Sequence, residues 1–138
     1  MKMSLIACVL GVCLTAGARP LLVLESSNGV RNPAVGKRSL CEIYWDKIVM
    51  THAAGLADSQ STFPIRLGAQ VPELMRQAAA GKVTAAPVQA LSSAESSTYQ
   101  VRGDDDEMVV LLKTGGSGSQ NSSPAAASLI QLLDMNCR

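Results

Sequence analysis

Four cysteines stand in the 138-residue chain, but the pair that constrains folding most is Cys41 and Cys137. The other two, Cys8 and Cys13, lie in a leader-like segment at the N-terminus. There Lys2 supplies a positive charge, residues 5–14 form an apolar core too short to cross a bilayer, and Ala16-Gly17-Ala18 offers a small-residue cleavage site. A signal peptide is therefore expected over residues 1–18, with secretion to the extracellular space and no membrane insertion once it is removed. On an oxidising route Cys41 and Cys137 are expected to join, within one chain or between two. Closing a loop of that length stabilises the fold by roughly 4–5 kcal/mol in the chain-entropy picture.

A cross-link of that size matters because the apolar material is thin. Tyr44, Trp45, Phe63 and Tyr99 are the only aromatics, and much of the hydrophobic fraction is alanine. The net charge of +1 comes without a basic stripe, which argues against nucleic acid and anionic membrane surfaces as partners.

The pattern along the chain predicts an α+β domain. Residues 19–38 are rich in turn formers and read as a flexible segment outside the core. Ser39 and Glu42 fit a capping box, and Cys41, Tyr44, Trp45, Ile48 and His52 follow at helical spacing, which predicts a helix over 40–54. Pro72 and Gly81 bracket a second helix at 72–80. Residues 98–102 and 108–113 predict a β-hairpin turning at Gly103-Asp104-Asp105-Asp106. Residues 115–123 read as a flexible Gly/Ser segment, and Pro124 opens a last helix to about 136. The expectation is thus a small domain over 39–138, with three short helices, one hairpin, long irregular links and one disulfide.

Three motifs invite a functional reading. Gly36-Lys37-Arg38 has the form of a processing site. A protease cutting after the basic pair, then trimming and oxidation of the glycine, would leave Val35 amidated. The order of signal, short segment, Gly-Lys-Arg and cysteine-bearing remainder resembles the precursors of secreted peptide hormones and neuropeptides, over residues 1–41 and in layout. That resemblance implies a signalling precursor cleaved after Arg38, whose products bind a cell-surface receptor. The alternative is a secreted, non-enzymatic binding protein or effector that meets an extracellular protein on another cell or host. Arg102-Gly103-Asp104 is an integrin-recognition tripeptide, so adhesion is one form of that alternative. Asn121-Ser122-Ser123 is a glycosylation sequon.

Catalysis finds little to stand on. His52 is the only histidine, no serine sits in a nucleophile-elbow pattern, and oxidised cysteines supply neither a thiol nucleophile nor a zinc site. Neither a metal nor a cofactor is expected.

Overall fold

A computed structural model describes residues 18–28, 36–86 and 95–138. The expected signal segment (but for Ala18) and Val35 lie outside the described residues. The chain builds β1 (Leu22–Ser27), β2 (Lys37–Ile43), β3 (Lys47–Ala54), β4 (Ala57–Pro64), α1 (Val71–Ala79), β5 (Val83–Ala85), β6 (Ser96–Arg102), β7 (Met108–Thr114), β8 (Ser119–Asn121) and α2 (Pro124–Asn136). The strands form one antiparallel sheet in the order β4-β3-β2-β1-β6-β7-β8-β5. The expected α+β domain with three helices is corrected: the fold is dominated by this eight-stranded sheet and carries two helices.

The helix expected over 40–54 is absent. Its residues form most of β2 and all of β3, joined by the turn at Tyr44-Trp45-Asp46. A period of two was present beside the helical one. Cys41 and Ile43 point to the core from β2, and Ile48 from β3, while the β-branched Ile43, Ile48, Val49 and Thr51 favour a pleated surface. Trp45, which a helix would have packed inward, is half exposed at the turn. Ser39 and Glu42 lie three apart on a strand and so face opposite sides, which dissolves the capping box.

The largest correction concerns the segment before Arg38. β1 lies inside the sheet, paired to β2 on one side and β6 on the other, with Leu22 between Ile43 and Val101 and Leu24 between Cys41 and Tyr99. Leu21, Leu22, Val23 and Leu24 are all buried. Four apolar residues in a row are the mark of a strand covered on both faces, not of a loose arm.

The helices expected at 72–80 and 124–136 are present as α1 and α2, and the expected hairpin as β6 and β7. The helices pack on each other and over β1, β6 and β7. Val71, Met75 and Ala78 of α1 and Ala125, Ala126, Leu129 and Leu133 of α2 meet Leu22, Leu24, Ile43, Val101 and Leu111 in one core, with no buried polar residue among those described. Cys41 and Cys137 are joined, tying β2 to the end of α2. The staple thus runs from sheet to helix rather than between two helices.

The expected flexible segment at 115–123 is also corrected at its C-terminal part, because β8 is paired with both β7 and β5.

Candidate functional site

Cys137 fixes the end of α2 over Cys41, and among the described residues no side chain of α1 or α2 lines the cleft beyond that end. Leu24, Cys41 and Tyr99 share a row under the helix. The next row on the same face, two residues further along each strand, is His52, Ser39, Ser26 and Ser97. The change from apolar to hydroxyl residues is what a strand needs as it leaves the core for water. Ser26, Ser39 and Ser97 are half-buried and His52 is exposed.

This row floors a cleft of about 400 Å³, walled by Lys37, Arg38, Glu95 and Arg138 among others. Ser26 and Ser97 share a hydroxyl hydrogen bond of 3.1 Å, as do Ser27 and Ser96. Arg138 is held at the wall: it donates to the Tyr99 hydroxyl at 3.0 Å and pairs with Asp134 at 3.2 Å. Tyr99 in turn donates to Asp134 at 2.8 Å. Burial, and then the Asp134 carboxylate accepting its proton, push the Tyr99 hydroxyl above its ordinary pKa, while its tyrosine oxygen pushes Arg138 up as well.

The cations on the wall divide into paired and unpaired. Arg38 is ion-paired with Glu25, and Arg138 with Asp134. The Lys37 ammonium, the Ser39 hydroxyl and the His52 imidazole have no side-chain partner among the described residues, and Ser39 and His52 stand directly opposite each other on β2 and β3. A donor-rich group of this kind recognises oxygen acceptors on a ligand.

The motifs read from the sequence fall elsewhere or are tied down. Gly36 accepts a hydrogen bond from the Gly55 amide, and the Lys37 backbone amide donates to the Asn28 side chain while its carbonyl accepts from the Asn28 amide. Arg38 faces Ser27 on one side and Ala53 on the other. The dibasic pair is exposed but begins an internal strand, paired on both sides, whereas proteases act most readily on unpaired chain.

Arg102, Gly103 and Asp104 sit where β6 enters its turn, but the arginine is not presented. Its guanidinium donates to the Arg19 carbonyl at 3.0 Å and lies 3.7 Å from Asp106, and Gly103 is buried. Asp104 is exposed at the turn. Among the described residues no three His, Cys, Asp or Glu groups converge as a metal site.

Asn121 is a structural hub. Its Nδ2 donates to the Ala78 carbonyl at 2.8 Å and the Val110 carbonyl at 3.2 Å, and its Oδ1 accepts from the Ser123 amide at 2.9 Å. It joins α1, β7 and the start of α2, where Ser123 caps the helix through the Ala125 amide. A glycan on Nδ2 would replace one of the two hydrogens that these carbonyls accept.

His52 is the one histidine the sequence offers, and helical spacing alone gives it no catalytic partner. Ser26, Ser97, Lys37 and Arg138 do not group with it in the sequence, because they meet only through the pairing of β1 with β2 and with the distant β6 and through the bond that anchors Cys137. The usable signal was the repeated Ser-Ser pair at Ser26-Ser27 and Ser96-Ser97, which now face each other. Comparison with protein-family models, with curated proteins and with solved structures finds no match, so the chemistry of the site rests on its own residues.

Proposed function

We propose that the chain acts as a secreted, non-enzymatic binding protein, working as one uncut domain, and that the strand-end cleft holds a small ligand through an oxyanion group. One observation supports this reading above the others. The cleft is built from both sides of the Arg38–Ser39 bond: Ser26, Ser27 and Lys37 come before it, Ser39 and His52 after it. A product that began at Ser39 would lose Ser26, Ser27, Asn28, Lys37 and Arg38 from the cleft along with a central strand. The signalling-precursor reading needs that product to stand alone, so it is the weaker of the two.

Binding is preferred to catalysis on geometry. A nucleophile and its base are expected within hydrogen-bond reach, with a third group orienting the base. Ser39 and His52 are cross-strand neighbours without a hydrogen bond between them, and no carboxylate orients the imidazole among the described residues. Lys37 is a compact point charge, suited to a carboxylate, sulfate or phosphate oxygen, and the serine hydroxyls suit its remaining acceptors.

The test is an NMR titration of the folded protein with a sugar acid, a sulfated sugar and a sugar phosphate, in parallel with the neutral sugar. One of the charged compounds should move the Ser39, His52 and Ser97 resonances, and Lys37→Ala should weaken that response. No response to any charged compound, or an equal response to the neutral sugar, removes the oxyanion reading.

A further inference from the structure

The two edges of the sheet differ sharply. β5 closes one edge with three residues, Val83–Ala85. β4 closes the other with eight, Ala57–Pro64, and every one of them is exposed. A long edge strand with unpaired backbone groups is a template for another strand. Natural edges are usually blunted by charge, bulges or proline. Here the strand holds one ionisable residue, Asp58, and its proline comes last.

The hairpin that makes β4 decides which backbone groups are free. Gly55, at φ +62, takes the first position of the two-residue turn Gly55-Leu56, so Ala54 and Ala57 form its closing pair. Such a closing pair exchanges both its backbone hydrogen bonds, and bonded and unbonded pairs then alternate. Ala57, Ser59, Ser61 and Phe63 therefore bond back to β3, and the Ile65 amide continues the series to the Asp46 carbonyl at 3.2 Å. Asp58, Gln60 and Thr62 point their N–H and C=O groups outward.

We infer that this edge pairs with the β4 of a second copy of the chain, antiparallel about a two-fold axis at Gln60. In that register Gln60 faces its own counterpart, and Asp58 of each copy faces Thr62 of the other. All three outward positions are then satisfied. Pro64, which has no N–H to give, falls outside the bonded region. The two Asp58 carboxylates are offset by four residues, about 13 Å along the strand, and each meets a threonine hydroxyl.

The apolar residues favour a second copy over an unrelated partner. Leu56 is 91% exposed at one end of β4, and Phe63 is 48% exposed at the other. An antiparallel two-fold sets Leu56 of one copy opposite Pro64 of the other on one face and Phe63 opposite Ala57 on the other face, at both ends of the interface. The surface is thus complementary to itself, as a two-fold interface requires. The product is a sheet continuous across both copies.

Light scattering over a concentration series should show a reversible dimer. Gln60→Pro removes an outward N–H that β3 does not use, so it should leave the fold intact and the protein monomeric. The register has its own test, independent of the proline. Ser59 faces Ser61 of the other copy as an unbonded pair, about 4.5 Å between Cα atoms. A mixture of the Ser59→Cys and Ser61→Cys variants should therefore form a disulfide-linked heterodimer, while neither variant alone forms a linked dimer through that site. A monomer at every concentration overturns the inference. So does a dimer that yields no cross-link in the mixture, or one that folded Gln60→Pro leaves intact.

Discussion

Arg38 on β2 is ion-paired with Glu25 on β1, so the second basic residue of the expected processing site is bound to the segment that processing would release. The two strands carrying them are paired along the whole of β1, from Leu22 opposite Ile43 to Ser27 opposite Arg38. The contact itself is exposed, and exposed ion pairs contribute about 0–1 kcal/mol. Arg38→Gln should therefore change stability little in a denaturant titration. The burial behind it is where the energy lies. Leu22→Ala opens a cavity between Ile43 and Val101 and should cost about 2–5 kcal/mol in the same titration. A small cost for Leu22→Ala would mean that β1 is dispensable.

The Cys41–Cys137 bond fixes the C-terminal end of α2 to the sheet beside the cleft. Reduction, or Cys41→Ser, should lower unfolding stability by about 2–5 kcal/mol. Non-reducing peptide mapping should find the two cysteines joined within one chain. The Arg138 resonances should also shift on reduction, because the neighbouring Cys137 no longer anchors that wall.

Asn121 is expected to carry no glycan in the folded protein, since its Nδ2 is spent on the Ala78 and Val110 carbonyls. Intact mass before and after glycosidase treatment checks this. Asn121→Ala leaves those carbonyls and the Ser123 amide short of a partner. Each such loss costs about 1–3 kcal/mol, so marked destabilisation is expected on thermal unfolding. Ser123→Ala keeps the hub, breaks the sequon and loses only the helix cap, typically about 1 kcal/mol.

Alkaline pH should weaken the fold through Tyr99. Its hydroxyl is held above the ordinary tyrosine value by burial and by Asp134. The folded state therefore keeps this proton more tightly than the unfolded state does. That stabilisation is complete below about pH 10 and is lost as pH rises through the raised folded value. Tyr44 is shifted the same way, by burial and by Glu42, so Tyr99→Phe should remove only part of the alkaline loss. Unfolding monitored from pH 8 upward measures the difference.

What the sequence made legible was local. Pro72 and Gly81 marked α1, and Pro124 marked α2 at its observed first residue. Gly103-Asp104-Asp105-Asp106 marked the β6–β7 turn. In each case a residue with restricted or unusual backbone freedom stood at the boundary. The sheet was obscured because residues 41–52 satisfy two periods at once, and only pairing partners decide between them. β1 was missed because its partners are β2 and the distant β6, and turn formers at its end and after it pointed to a loop. The cleft was hidden for the same reason. Its floor is one cross-strand row drawn from β1, β2, β3 and β6, and no single segment carries more than one member of that row.

The most direct measurement is the mass of the native protein recovered from the cells that make it and from their medium, under denaturing conditions. One uncut chain holding both Leu22 and Cys41 is expected, because β1 is a central strand and supplies Ser26 and Ser27 to the cleft. A chain beginning at Ser39, stably folded and free of residues 22–27, would contradict this. It would return the segment before Arg38 to the status of a released peptide.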